Sequence, residues 1–114
     1  MKNRGALAEQ KAAQYLQEQG LKLIEQNYRS RFGEIDLIMQ DGDTLVFVEV
    51  RQRRNADFGD AASSIDLHKQ QRIILTSQHY LSGMAHMPAC RFDALLFGGN
   101  PDESAQWLKN AFEA

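Results

Sequence analysis

Cysteine, proline and long apolar runs are scarce in this chain, which has one cysteine and two prolines among 114 residues. A single cysteine excludes a disulfide within the chain and a cysteine-rich zinc site, and it fits a reducing compartment. We expect Cys90 to be a small buried residue of a strand. The N-terminal residues have no apolar signal segment, and no later run is long enough to span a membrane. We therefore expect a soluble, cytoplasmic protein with no membrane partner.

Positive charge is not in excess either, since the formal net charge is -2 and the isoelectric point is about 5.9. The composition gives no overall positive field of the kind that attracts nucleic acids. Five of the eight arginines nevertheless lie between residues 29 and 54, namely Arg29, Arg31, Arg51, Arg53 and Arg54. A chain of this length with 43% hydrophobic residues can bury one core but not two. We therefore expect a single domain over residues 1–114.

Residues 33–51, GEIDLIMQDGDTLVFVEVR, contain two β-rich runs around an Asp-Gly pair, which predicts an antiparallel hairpin. Because side chains alternate along a strand, the first run has one face with Glu34, Asp36, Ile38 and Gln40 and another with Ile35, Leu37 and Met39. Two registers remain open. Asp36 lies diagonal to Glu49 if Asp41-Gly42 forms the turn, and directly opposite Glu49 in the other register. Both registers place the two carboxylates on one face.

Two carboxylates this close, flanked by Ile38, Leu45 and Phe47, repel each other and resist desolvation unless a cation lies between them. Mg²⁺ suits the position, because it takes oxygen ligands and needs only one or two protein carboxylates. Arg51 projects from the same face as Glu49 and is placed to bind an anion. The spacing is equally typical of a solvated acidic hairpin edge with a Glu49–Arg51 pair.

A first helix is predicted from about Asn3 to Gln19, ending at Gly20. One stripe at helical spacing contains Gly5, Glu9, Ala12, Ala13 and Leu16. The small residues would let this helix approach a sheet and aim Glu9 at the acids of the hairpin. Alternatively, Glu9 marks the boundary of the stripe and bonds Lys11 or a neighbouring arginine.

The remaining pattern predicts a strand over residues 21–28 and a turn over residues 29–33, whose Arg29 and Arg31 either hold phosphates or are solvated. After an irregular stretch over residues 52–60, a second helix begins near Ser63 or Ser64 and ends at Leu81. Its core side contains Ile65, Ile73, Thr76 and Tyr80. Lys69 points near that side, where it reaches a scissile phosphate or extends to solvent at the helix rim.

A buried strand is predicted over residues 91–97, and a final helix from Pro101 or Asp102 to Phe112. The three histidines His68, His79 and His86 share no metal-ligand spacing, so we treat them as structural. The predicted order is αβββαβα, which is an α/β arrangement with a central mixed sheet covered by helices on both faces.

Glu9 on the first helix, GEIDLI with Asp36, and VFVEVR with Glu49 and Arg51 together resemble the YraN-like family of small bacterial proteins. That family is placed in the PD-(D/E)xK nuclease superfamily, near archaeal Holliday junction resolvases. The resemblance extends to Lys69 and to the segment RFD at residues 91–93. It implies a restriction-endonuclease-like domain with an αβββαβ core and a metal-dependent phosphodiesterase activity.

The resemblance also implies roles for single residues. Asp36 and Glu49 bind Mg²⁺ or Mn²⁺, and Glu9 completes or orients the ligand shell. Arg51 occupies the position of the motif's lysine. Because a guanidinium stays charged, Arg51 cannot act as a general base, although it can stabilise the charge that develops on the phosphate. Lys69 is a possible substitute for the missing lysine.

Two functions follow from these expectations. The first is a Mg²⁺- or Mn²⁺-dependent endonuclease acting on DNA, with branched or damaged structures as substrates and a homodimer as a possible form. Its backbone contacts would come from Arg29, Arg31, Arg53, Arg54 and Lys69. The alternative is a non-catalytic module that keeps the nuclease fold and binds DNA or another partner. The acidic balance and Arg51 in the lysine position favour this alternative.

Overall fold

The computed structural model describes residues 4–52, 65–97 and 105–114. The elements follow one another as α1 (Arg4–Glu18), β1 (Lys22–Ser30), β2 (Gly33–Asp41), β3 (Thr44–Gln52), α2 (Leu67–Leu81), β4 (Ala89–Phe97) and β5 (Gln106–Phe112). Several predicted features lie outside the described residues. These are Arg53 and Arg54, most of the irregular stretch, the start of the second helix at Ser63 or Ser64, and the start of the last helix. In the described ranges, no helix combines the length and the apolar character needed to cross a membrane.

Helix α1 ends where the sequence predicts a stop. Gly20 has a φ of 101°, a conformation that glycine adopts at little cost. The backbone N–H groups of Gly20 and Leu21 donate to the carbonyls of Gln17 and Leu16, each at 3.0 Å, so these carbonyls at the end of the helix have partners. The helix buries Ala12, Ala13 and Leu16 against the sheet.

The five strands form one sheet in the order β1-β2-β3-β4-β5. Only the β3–β4 pair is parallel, and α2 makes the connection that a parallel pair requires. The hairpin between β2 and β3 turns at Gly42 and Asp43, with Asp41 paired to Thr44. Gly42 has a φ of 60°, as a tight hairpin turn requires. This is the second of the two registers that the sequence left open.

Helices cover both faces of the sheet, as predicted. Helix α1 packs on a cluster that includes Leu37, Met39, Val46, Val48 and Leu95. Helix α2 packs on the opposite face, on a cluster that includes Ile35, Ile38, Leu45, Phe47 and Phe92. The α2 helix begins after Asp66, whose carboxylate accepts a hydrogen bond from the Lys69 N–H at 2.7 Å and caps the first turn. Of its predicted core side, Ile65, Ile73 and Thr76 are buried and Tyr80 packs against the cluster.

The prediction of a final helix ending at Phe112 is wrong. The described part of this segment is strand β5. Strand β5 pairs antiparallel with β4, and its Phe112 ring stacks on Phe92 with centroids 4.9 Å apart. Trp107 Nε1 donates to the buried carboxylate of Asp93 at 2.9 Å. These tertiary contacts override the helical preference of the sequence. The observed order is αβββαββ.

Cys90 corrects a second prediction. It lies in β4 as expected, but it is exposed. The buried part of β4 begins only at Phe92, so Cys90 extends past the edge of the core. The buried strand predicted over residues 91–97 is confirmed and begins two residues earlier, at Ala89.

Candidate functional site

Strands β2 and β3 separate at the end opposite their turn, and Asp36 lies in the opening. Their pairing runs from Asp41 and Thr44 as far as Leu37 and Val48. Beyond that pair, the Val50 N–H donates to Asp36 Oδ2 at 2.8 Å, so a side chain replaces the partner strand. The hydrogen bond fixes the Asp36 carboxylate between the two strands.

Asn27 of β1 lies opposite Asp36, between the pairs Gln26–Leu37 and Tyr28–Ile35. Its φ of 54° is left-handed, which asparagine tolerates better than most residues. The alternation of β2 changes beside it, because Ile35 packs on the α2 face while Leu37 packs on the α1 face. The predicted common face of Ile35, Leu37 and Met39 is therefore wrong for Ile35.

Glu49 follows Leu45 and Phe47 on the α2 face of β3 and is only 4% exposed. It shares a hydrogen bond with the carboxyl group of Asp36. Lys69 Nζ lies 3.0 Å from Glu49 Oε2, although this contact lacks the angles of a hydrogen bond. The lysine is thus an ion-pair partner at the rim of α2. The carboxyl groups of Asp36 and Glu49 thus meet, Asp36 from the opening between the strands and Glu49 from the α2 face.

The surroundings of Asp36 and Glu49 raise the pKa values of both carboxyl groups. Burial raises the pKa of Glu49 to about 8, with the hydrogen bond and the charge of Asp36 acting in the same direction. Burial also raises the pKa of Asp36 above its usual value, despite hydrogen bonds from Glu49 and Val50. The contact between the two carboxyl groups therefore favours a state in which they share a proton over one in which both are charged.

Glu9 reaches the same opening from α1. Its side chain forms hydrogen bonds with Asn27 and Asp36. Burial raises the pKa of Glu9 despite these hydrogen bonds, and the charges of Glu34 and Glu49 raise it further. Carboxylate oxygens of Glu9, Glu34 and Asp36 lie within 4.8 Å of one another. Glu9 therefore faces the hairpin acids rather than only marking the edge of the helix stripe.

The sequence pattern indicated no site role for Glu34 or Asn27. Glu34 was visible as an acid two residues before Asp36, and Arg29 Nε donates to its Oε2 at 2.8 Å, which holds it in place. Asn27 had no signal beyond the general tolerance of asparagine for left-handed backbone. Both residues become relevant only when β1 and β2 are paired.

The predicted cations occupy different surroundings. Arg29 is engaged with Glu34, and the Arg31 guanidinium carbon lies 4.9 Å from the centroid of the Phe32 ring. Arg51 is half-buried on β3, where its register partner is Leu96 of β4. Beside Asp36, a cleft of about 140 Å³ is lined by Gly33, Glu34, Asp36, Lys69 and Arg72. Arg72 was not among the predicted site residues.

The donor set fits a hard divalent cation. Glu9, Glu34 and Asp36 offer carboxylate oxygens at mutual distances that one ion can bridge, and Glu49 contacts Asp36. Histidine and cysteine, which softer metals prefer, do not enter the acidic group found among residues 4–52, 65–97 and 105–114. His79 instead contacts the Tyr28 hydroxyl through Nδ1 at 2.6 Å.

Substitution Glu49→Gln is expected to stabilise the protein in the absence of divalent cations. The folded pKa of about 8 lies above the ordinary value of 4.5, so ionising Glu49 opposes folding progressively as pH rises between these values. The gain in free energy of unfolding should be near zero around pH 4.5 and reach roughly 1–3 kcal/mol above about pH 8. Urea unfolding with a chelator at several pH values measures it. Asp43→Asn, at an exposed turn position, should show no such trend, and a pH-independent loss in Glu49→Gln would contradict this electrostatic account.

The fold is similar to that of a solved Holliday junction resolvase. The structure of Hjc from Archaeoglobus fulgidus, described as a Holliday junction resolvase from an archaeal hyperthermophile, matches with a TM-score of 0.62. The match covers 94% of this chain and 73% of that chain at 13% sequence identity. The predicted α/β fold, with a central mixed sheet flanked by helices, is confirmed, and this likeness shows that the resolvase shares it.

Sequence comparisons identify the family. A UPF0102 protein of Nitrosomonas europaea is 55% identical over 111 residues, covering 97% of this chain and 94% of the relative. A UPF0102 protein of Methylobacillus flagellatus is 50% identical over 114 residues and covers both chains completely, at 100% each. The model of "Uncharacterised protein family UPF0102" matches residues 8–97. The predicted YraN-like resemblance is thereby confirmed, and the chain belongs to the UPF0102 family.

Proposed function

We propose that this protein is a metal-dependent endonuclease that hydrolyses phosphodiester bonds in DNA. The observation that carries the proposal is the meeting of four carboxyl groups, from Glu9, Glu34, Asp36 and Glu49, at the opening between β2 and β3. They meet beside a cleft lined by Lys69 and Arg72, in a fold shared with a Holliday junction resolvase. Acids and bases arranged in this way suit the binding of a cation and a phosphate together.

Asp36 is central to the proposed metal site, because it contacts both Glu9 and Glu49. With Glu49 it would hold Mg²⁺ or Mn²⁺, and Glu9 and Glu34 would complete or orient the shell. A bound divalent cation supplies positive charge to the phosphate and makes a water molecule more acidic. The raised pKa values of the acids support this assignment, since a cation would compensate the charges that burial disfavours.

The chain's own residues position the reacting groups. The Val50 N–H holds Asp36, Asn27 holds Glu9, and Lys69 keeps its ammonium beside Glu49. Arg51 would stabilise charge on the phosphate rather than take a proton from water, as is typical of a guanidinium. Lys69 can also reach the phosphate, because its side chain is 43% exposed and lines the cleft.

We propose branched DNA as the substrate, because the structurally similar protein of Archaeoglobus fulgidus is a Holliday junction resolvase. A homodimer belongs to the same proposal, because a four-way junction presents two equivalent strands for cleavage. Backbone contacts would come from Arg31, Arg53 and Arg54. Arg29 would contribute less, because its charge is already paired with Glu34.

A second candidate function is a non-catalytic module that binds DNA or another partner. It is favoured by the Lys69–Glu49 ion pair, which places a positive charge at the acids without any metal. Arg51 in the position of the motif's lysine favours it too. Under this alternative, the protein binds DNA with a strong dependence on salt but binds neither Mg²⁺ nor Mn²⁺.

Cleavage and calorimetry with the purified protein test the proposal. We expect Mn²⁺ and Mg²⁺ to support cutting of a four-way junction in preference to a duplex built from the same strands. Excess chelator should abolish the cutting, and Mn²⁺ should bind measurably in titration calorimetry. Binding of DNA together with a flat Mn²⁺ titration and no cutting would support the non-catalytic alternative instead.

A further inference from the structure

Two hydrogen bonds fasten helix α2 to the turn between β1 and β2, one from Arg72 and one through Thr76. Arg72 Nε donates to the Phe32 carbonyl at 3.1 Å. The Thr76 hydroxyl donates to the Arg72 carbonyl at 2.8 Å and accepts from the Ser30 hydroxyl at 3.3 Å. A Cβ at Gly33 would lie 3.5 Å from Arg72 Cβ, an ordinary van der Waals distance, so the turn packs directly beside Arg72. The base of the Arg72 side chain is therefore fixed over the turn.

The far end of the Arg72 side chain is available to a ligand. A guanidinium has five N–H donors, of which Nε supplies only one. Within the described part of the chain, the Phe32 carbonyl is the acceptor that this side chain engages, and the residue is exposed. The two terminal amino groups can thus donate together to an anion, in the forked geometry that suits phosphate.

Side chains of both charges line the cleft. Glu34 and Asp36 line it together with Lys69 and Arg72. The Lys69 ammonium already lies 3.0 Å from Glu49, which leaves Arg72 as the lining cation whose charge is not paired with an acid of the site. An anion entering alone would be repelled by the two acids. A cation held by those acids would remove the repulsion, so anion and cation should favour each other's binding.

We propose that Arg72 forms a phosphodiester-binding subsite in this cleft, so that DNA and the divalent cation strengthen each other's binding. The proposal rests on the proposed function, because it assigns a substrate contact to the same site. It adds a residue that contacts the DNA backbone without reading bases. The anchor on Phe32 places that contact at a fixed position beside Asp36, whereas an arginine on a free surface would contact phosphate at many positions.

The binding of a short fluorescein-labelled duplex, measured by anisotropy, tests the subsite. Ca²⁺ takes the place of Mg²⁺ in one series, and chelator is present in the other. Substitution Arg72→Gln should weaken binding roughly tenfold in Ca²⁺. It should also reduce the slope of log affinity against log salt by about one unit, as expected for one lost phosphate contact. In chelator the effect should be clearly smaller.

Two further variants keep the test specific. Lys22 is exposed at the other end of β1, where its register partner is Gln40 near the hairpin turn. Substitution Lys22→Gln removes this distant charge and should leave DNA binding nearly unchanged. Arg72→Lys keeps the charge and should retain the salt slope while losing part of the affinity. If Arg72→Gln binds as Lys22→Gln does while the wild type binds and cuts DNA, the subsite is overturned and the proposed function stands. A wild type that neither binds nor cuts DNA overturns both.

Discussion

Substitution Asp36→Asn is expected to lower metal-dependent DNA cleavage by about 1000-fold or more. Asp36 contacts Glu9 and Glu49 and is fixed by the Val50 N–H at 2.8 Å. The amide keeps the size of the side chain but removes the charge that would hold the cation. The NH₂ group also offers donors where the cation requires oxygen. Mn²⁺ binding in titration calorimetry should weaken in parallel with cleavage, because both depend on the same carboxylate.

Matched controls decide how the Asp36→Asn result is interpreted. Asp43→Asn removes an exposed acid from the hairpin turn and should cut at the wild-type rate. Both variants should be purified identically, so that a contaminating nuclease would appear in each of them. Equal cutting by Asp36→Asn and wild type would refute the proposed active site. Retained Mn²⁺ binding with lost cutting would show instead that Asp36 serves the reaction without holding the metal.

Substitution Asp93→Ala is expected to cost about 3–5 kcal/mol of unfolding free energy. Asp93 is completely buried, with 0% exposure. It accepts hydrogen bonds from Arg91 Nε and Nη2 at 2.9 and 3.0 Å, and from Trp107 Nε1 and the Asn110 N–H at 2.9 Å each. Alanine would leave all these donors without their acceptor and the half-buried Arg91 charge without its main partner. Urea unfolding followed by far-UV circular dichroism measures the loss.

The outer partner of the same arginine supplies the control. Arg91 Nη2 also donates to Asp41 at 3.1 Å, but the Asp41 side chain is 36% exposed. Asp41→Asn should therefore cost less than about 1 kcal/mol, as exposed ion pairs usually do. If Asp93→Ala cost no more than Asp41→Asn, the buried carboxylate would not be what holds β5 against β4.

The parts of the fold that follow local patterns were predictable from the sequence. The period-two alternation and the Asp-Gly turn predicted the hairpin. They also predicted that Asp36 and Glu49 lie together, because both of the open registers put the two carboxylates on one face. Helical spacing likewise placed Glu9 on the packing side of α1. These inferences depend mostly on residues close together in the chain, and the alternation fails only at Ile35, beside Asn27 of β1.

The parts that the sequence did not predict depend on distant contacts. Strand β5 is held against β4 by the hydrogen bonds that Trp107 and Asn110 donate to the buried Asp93, although the sequence pattern predicted a helix. The left-handed Asn27 changes the alternation of β2 beside Asp36, and Glu34 then joins Glu9. Arg72 enters the cleft only because α2 packs on the turn at Gly33.

The irregular backbone of the two outermost strands limits how a second copy of the chain can attach. An asparagine with a left-handed backbone conformation interrupts each of them, Asn27 in β1 and Asn110 in β5. The pairing of β1 also shifts register between Leu23 and Glu25, and the pairing of β5 shifts between Leu108 and Phe112. A flat outer strand is a template for sheet extension and aggregation, whereas kinks in it misalign the free hydrogen-bonding groups. Any symmetric dimer would therefore be expected to use helix or loop surfaces rather than one continuous intermolecular sheet.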